Sequence, residues 1–142
     1  MWFQKTPLLP SVAVQRSADS LREYSLSNAL AEREAALRAF AIGEIPLDLR
    51  AISDPNARFI DVHAAVHGIK SEFNWNKVLG IDVSDYVLNR HEFISNETTA
   101  VSIVGFTQSG VKTQRPHFIT WTVVWIREGE TWLILNSHAS RS

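Results

Sequence analysis

Five histidines and one aspartate hold most of the chemistry open to this chain. They are His63, His67, His91, His117 and His138, with Asp61 just ahead of the first pair. An imidazole changes charge near neutral pH, and an apolar wall disfavours its charged form, so a histidine in a pocket can act as a general base. His117 opens a strand-like run and shares a face with Trp121; the competing reading is a histidine near solvent at the strand start. His138 sits where the last run turns polar, as it would at a pocket mouth or a subunit edge. Asp61 closes a short strand-like run. A carboxylate pushed among apolar groups has a raised pKa and can shuttle protons, while an ion pair with Arg58 or Arg90 is the plainer alternative. Asp61, His117 and His138 are therefore the candidate catalytic residues. Trp75, Trp121, Val123 and Asn136 are candidates to line a ligand site, Asn136 by orienting a ligand carbonyl. The tryptophans would serve equally well as core.

Other chemistries find little support. His63 and His67 are four apart, a spacing that would put two metal ligands on one helical face. They fall instead between a short strand and Gly68, and no Glu follows His63, so loop histidines are expected and no metal site. The chain has no cysteine, which removes thiolate catalysis, disulfides and Cys-ligated zinc. There is no Gly-rich phosphate loop and no basic aromatic stripe, and no cofactor is expected. A net charge of -1, with both signs interspersed, argues against nucleic acid or an anionic membrane as partner. Residues 1–10 hold one cation and two prolines without the apolar run of a signal peptide. No segment approaches the roughly 20 apolar residues that span a bilayer. The expectation is a soluble, cytoplasmic protein.

At 142 residues the chain reads as one domain, with residues 1–16 as an extended arm and 17–142 as the folded unit. Ser20 and Glu23 fit a capping box. Leu26, Ala29, Leu30, Arg33, Leu37, Phe40 and Ala41 then recur at helical spacing up to Gly43, with Glu32, Glu34 and Arg38 on the opposite face. A short second helix is expected over 47–52, a turn at Asp54-Pro55-Asn56, a strand over 58–62 and a third helix over 71–79. Four long strand-like runs follow, over 89–95, 98–109, 117–127 and 131–140, separated by turn signals. In the third run Ile119, Trp121, Val123 and Trp125 share one face, and Phe118, Thr120, Thr122 and Val124 the other. In the last run strict alternation puts Trp132, Ile134, Asn136 and His138 together. Its first half is apolar on both faces, as in a central strand. Gly105, inside a strand run, is expected to mark a bulge. The whole is an α+β architecture: a curved, cone-shaped mixed sheet wrapped around about three N-terminal helices. Such a cone can enclose a cavity.

That element order resembles the nuclear transport factor 2-like superfamily, which includes SnoaL-like cyclases, ketosteroid isomerases and scytalone dehydratase. The residues that carry the resemblance are the hairpin from Val124-Trp125 through Glu128-Gly129-Glu130 to Trp132, and the tail Asn136-Ser137-His138-Ala139-Ser140. Asp54-Pro55 and Asn89-Arg90-His91 are also similar to the association domain of calcium/calmodulin-dependent protein kinase II. The resemblance implies the cone fold and a homodimer or larger homo-oligomer built on the outer sheet face. Where that association domain has pocket arginines, this chain has Val123, Ala139 and Gly105 or Phe106, which makes for a more apolar lumen. Two functions stay open. One is a pocket for a small hydrophobic or carbonyl-containing molecule, with or without cofactor-free isomerase, cyclase or dehydratase chemistry. The other is a non-catalytic association module.

Overall fold

The computed structural model describes residues 27–69, 79, 86–108 and 118–141. The expected arm and helix cap, the body of the third helix, His117 and Trp75 lie outside these residues. Helix α1 covers residues 27–41. Its buried positions Leu30, Glu34, Leu37 and Ala41 recur every three or four residues, which places them on one stripe. Gly43 follows with φ +80°, a left-handed conformation that favours glycine after a helix end. The expected second helix is absent: residues 49–52 form turns, with Ala51 and Ile52 donating to the carbonyls three residues back. Leu79 is helical and fully buried.

Six strands form one sheet: β1 (Ser53–Ile60), β2 (Val66–Gly68), β3 (Tyr86–Ser95), β4 (Thr99–Gln108), β5 (Phe118–Glu128) and β6 (Thr131–Arg141). Their order is β2-β1-β6-β5-β4-β3. The β1–β6 contact is parallel and the others are antiparallel, so the sheet is mixed, with β6 inside it as its two apolar faces require. The expected Asp54-Pro55-Asn56 turn lies within β1, where the pairing with β6 is irregular between Ser53 and Arg58. The Asn56 amide donates to Asp54 Oδ1 there.

The two faces of the sheet differ in what covers them. The inner face carries Phe59, Val104, Phe106, Ile119, Trp121, Val123, Trp125 and Ile134, all essentially inaccessible, and Leu30 and Leu37 of α1 join the same cluster. The outer face of the same strands carries Val101, Ile103, Thr122, Val124 and Ile126 in its middle.

Two bulges adjust the curve. One lies on β3 between Leu88 and Arg90, opposite Gly105, which was expected to mark such a feature. A Cβ on Gly105 would stand 2.6 Å from Asn89 Oδ1 and 2.9 Å from Arg90 Cβ, so only glycine leaves the bulge its room. The other lies where Trp125 faces Ile134 but Val124 faces Asn136, leaving Leu135 as the extra residue. That bulge overturns strict alternation in β6. An extra residue reverses the facing of everything beyond it. Trp132 and Ile134 point inward, and so do Ser137 and Ala139, while Asn136 and His138 pair with Val124 and Thr122 on the outer face.

Candidate functional site

Two carboxylate–histidine pairs stand on the inner side of the sheet, towards opposite edges. The first is at the end of β1. Asp61 is buried, and its Oδ1 accepts the amides of His63 (2.8 Å) and Ala65 (3.0 Å), two and four residues ahead. Its own amide donates to the Ala65 carbonyl. These bonds fold residues 61–65 into a tight connection in which Ala64 takes φ 66°, uncommon for a residue with a side chain. The turn brings His67 of β2 back, with Nε2 2.8 Å from Asp61 Oδ2.

This environment reverses the expected electrostatics of Asp61. Burial does push its pKa up. The hydrogen bond from His67, the Ala65 and His63 amides and the His67 charge together outweigh it, and the carboxyl lies below its ordinary value of 3.8. An ionised carboxylate only accepts hydrogen bonds, so Nε2 of His67 carries a proton towards it. In the neutral ring Nδ1 is then an unprotonated lone pair, and it makes no hydrogen bond among the described residues. Asp61 thereby fixes the orientation of the His67 ring, whose side chain is 22% exposed. The ion pairs considered for Asp61 are absent: Arg58 donates to the carbonyls of Asn56 and Ala57, and Arg90 pairs with Glu92.

The second pair joins α1 to β3. Glu34 was expected on the solvent face of the helix, yet its side chain is only 3% exposed. Arg38, one turn on, donates from Nε to both of its oxygens at 2.8 and 3.1 Å. His91 Nε2 lies 2.9 Å from Glu34 Oε1. His91 faces Val104, which faces Trp121, so it belongs to the inner face. The signal for Glu34 was present in the sequence, because Leu30, Glu34, Leu37 and Ala41 recur every three or four residues, as one helical stripe does. Pairing was the missing information: a buried charge needs a partner, and the partner lies far along the chain.

The other candidates divide by face. Trp121 and Val123 are sealed in the inner face with no exposed surface. His138 is exposed and Asn136 half-buried, both on the outer face, so neither approaches Asp61 or Trp121 on the inner one. Two open clefts, of about 240 and 400 Å³, flank α1 beside Trp132. Neither is lined by Asp61, His67, Glu34 or His91. No group of three or more His, Asp or Glu side chains arranged for a metal occurs among the described residues.

No protein-family model matches the chain, and no curated protein does. Solved structures do. A protein of Caulobacter vibrioides with a cystatin-like fold is 14% identical over 82% of this chain and 89% of its own, with a TM-score of 0.62. A nuclear transport factor 2-like protein of Rhodospirillum rubrum, of unknown function in nutrient uptake, is 20% identical over 78% of this chain and 96% of its own, with a TM-score of 0.54. The hub of calcium/calmodulin-dependent kinase II from S. rosetta is 18% identical over 81% and 95%, with a TM-score of 0.51. At these identities the likeness shows the fold, which is nuclear transport factor 2-like.

Proposed function

For a chain with the nuclear transport factor 2-like fold, we propose that its function is association with copies of itself through the outer face of the sheet. The observation behind this reading is the contrast between the faces. The inner face is filled by the chain's own Phe59, Trp121 and Trp125. The outer face presents Val101, Ile103, Thr122, Val124 and Ile126 in its uncharged centre, with Ile94 70% exposed beside them. Arg58, Arg90 and Glu92 stand on the flanking strands of that face. An apolar centre with a charged rim is the anatomy of an interface, and contiguous apolar patches are uncommon on monomers. A two-fold pairing of the same patch is the commonest solution for one chain type. The fold is also one on which a kinase hub has been built.

The test is to put charge in the centre of the patch. Ile103→Lys and Val124→Lys oppose like charges across a two-fold interface. Light scattering should show both as monomers with a folded circular dichroism spectrum. Unchanged association in both variants counts against the outer face.

A second reading rests on the open Nδ1 of His67. Aimed by Asp61, His67 would serve as general base towards a small hydrophobic or carbonyl-containing molecule, without His138, which stands on the other face. Ring-nitrogen resonances of His67 should then shift when such a compound is added. A His67 ring insensitive to every carbonyl compound tried removes the support for this reading.

A further inference from the structure

We propose that the cleft between α1 and the β5–β6 hairpin is the docking site of the chain's own residues 1–16. The cleft holds about 400 Å³, within the range of pockets that bury a small ligand or a few side chains. Ala36, Leu47, Ile52 and Trp132 give it apolar walls. Glu32 and Glu130 line it as well, and both are exposed. Arg33 also lines it, with its guanidinium committed to Thr131 Oγ1 at 3.1 Å and to the Trp132 carbonyl. The lining therefore carries an excess of negative charge. Trp132 points inward, so the cleft lies apart from the patch on the outer face.

Residues 1–16 lie outside the described residues, and their sequence complements the cleft. They hold Lys5 and Arg16 and no Asp or Glu. Trp2, Phe3, Leu8, Leu9, Val12 and Val14 are apolar and gain by leaving water. Pro7 and Pro10 restrict themselves, and Thr6 and Leu9 before them, to extended backbone, so less freedom is lost when Leu8 and Leu9 dock. Reach favours the chain's own segment. Helix α1 is described from residue 27, and Ala29 already lines the cleft. From Ala29 to Ala36 the helix axis rises about 10 Å. Residues 17–26 span about 15 Å if helical and about 33 Å if extended. Either length lets residues 1–16 return along α1, and the tether raises their effective concentration above that of a second copy. Docked, Leu8 and Leu9 pack on Leu47 and Trp132, and Lys5 approaches Glu32 and Glu130.

The chain has no cysteine, so a single introduced one carries a spin label at a known place. Spin-labelled Ser11→Cys in the full chain should broaden the amide resonances of Ala36, Leu47 and Thr131. Those of Val101 and Ile103 on the outer face should stay sharp. Adding Leu8→Asp and Leu9→Asp should abolish the broadening while the circular dichroism spectrum stays that of the wild type. Broadening that survives both aspartates is what a loose tether gives, and it overturns the proposal. So does a labelled chain whose cleft resonances stay sharp from the start. If the aspartate variant does not fold, Glu32→Lys with Glu130→Lys, both at exposed positions, should lose the broadening in its place. Mixing labelled chain with unlabelled, isotope-enriched chain identifies the occupant. Sharp cleft resonances in the enriched chain support docking within one chain. Resonances broadened as strongly there assign the cleft to the segment of a second copy and overturn the proposal.

Discussion

Asp61 has both oxygens engaged by its own turn and by His67, and this sets how its charge enters stability. Its folded pKa lies below the ordinary 3.8, so its contribution is full above that value and is lost as pH falls through the depressed folded value. As pH falls through 3.8 the wild type should therefore lose stability that Asp61→Asn does not, so that variant should flatten the acid limb in pH-dependent melting. Asp61→Ala removes the acceptor of two amides and an imidazole and should cost about 1–3 kcal/mol in denaturant unfolding. Ser137 gives the opposite expectation. Its hydroxyl is buried on the inner face with no partner among the described residues. Ser137→Ala should be neutral or stabilising by up to about 1 kcal/mol, and a clear loss of stability would mean that something in the lumen bonds to that oxygen. At this scale sequence reasoning reached Asp61 but not its sign. Burial alone raises a carboxylate pKa; the lowering comes from donors in a turn whose geometry no composition or spacing encodes.

Strand identity was more legible than strand facing. The four long strands of the second half begin and end within three residues of where alternation and turn residues place them, because period-two patterning and turn chemistry are local. The side that Asn136 and His138 face was not legible. Leu133, Ile134 and Leu135 are all apolar, so nothing in the run marks Leu135 as extra, and only the ladder with β5 reveals it. Gly105 is the contrasting case, a bulge partner recognisable because a glycine interrupts a strand. Gly105→Ala should cost about 1–3 kcal/mol, since its Cβ would press on Asn89 and Arg90. A melting temperature equal to wild type would show that the bulge gives way without strain. The expected helix over 47–52 formed turns instead. Its apolar residues suited either conformation, and the short segment was left to tertiary packing.

Over the whole molecule, the curved mixed sheet was readable from the order of elements, and the division of labour between its faces was not. Alternation sorts side chains into two sets without saying which set a helix covers. The structure puts Trp121, Trp125 and Phe106 under α1 and leaves the Thr122 and Val124 side without a covering helix among the described residues. Trp121→Ala should accordingly cost about 3–5 kcal/mol, as expected for a large side chain removed from a filled interior. No described helix is long and apolar enough to cross a membrane. The central claim is that the outer face meets a second copy, and native mass spectrometry of the purified chain beside its Val124→Lys variant tests it most directly. The account predicts a dimer or larger ring for the wild type and a monomer for the variant. A wild-type monomer at every concentration, or a variant assembled as well as the wild type, would contradict it.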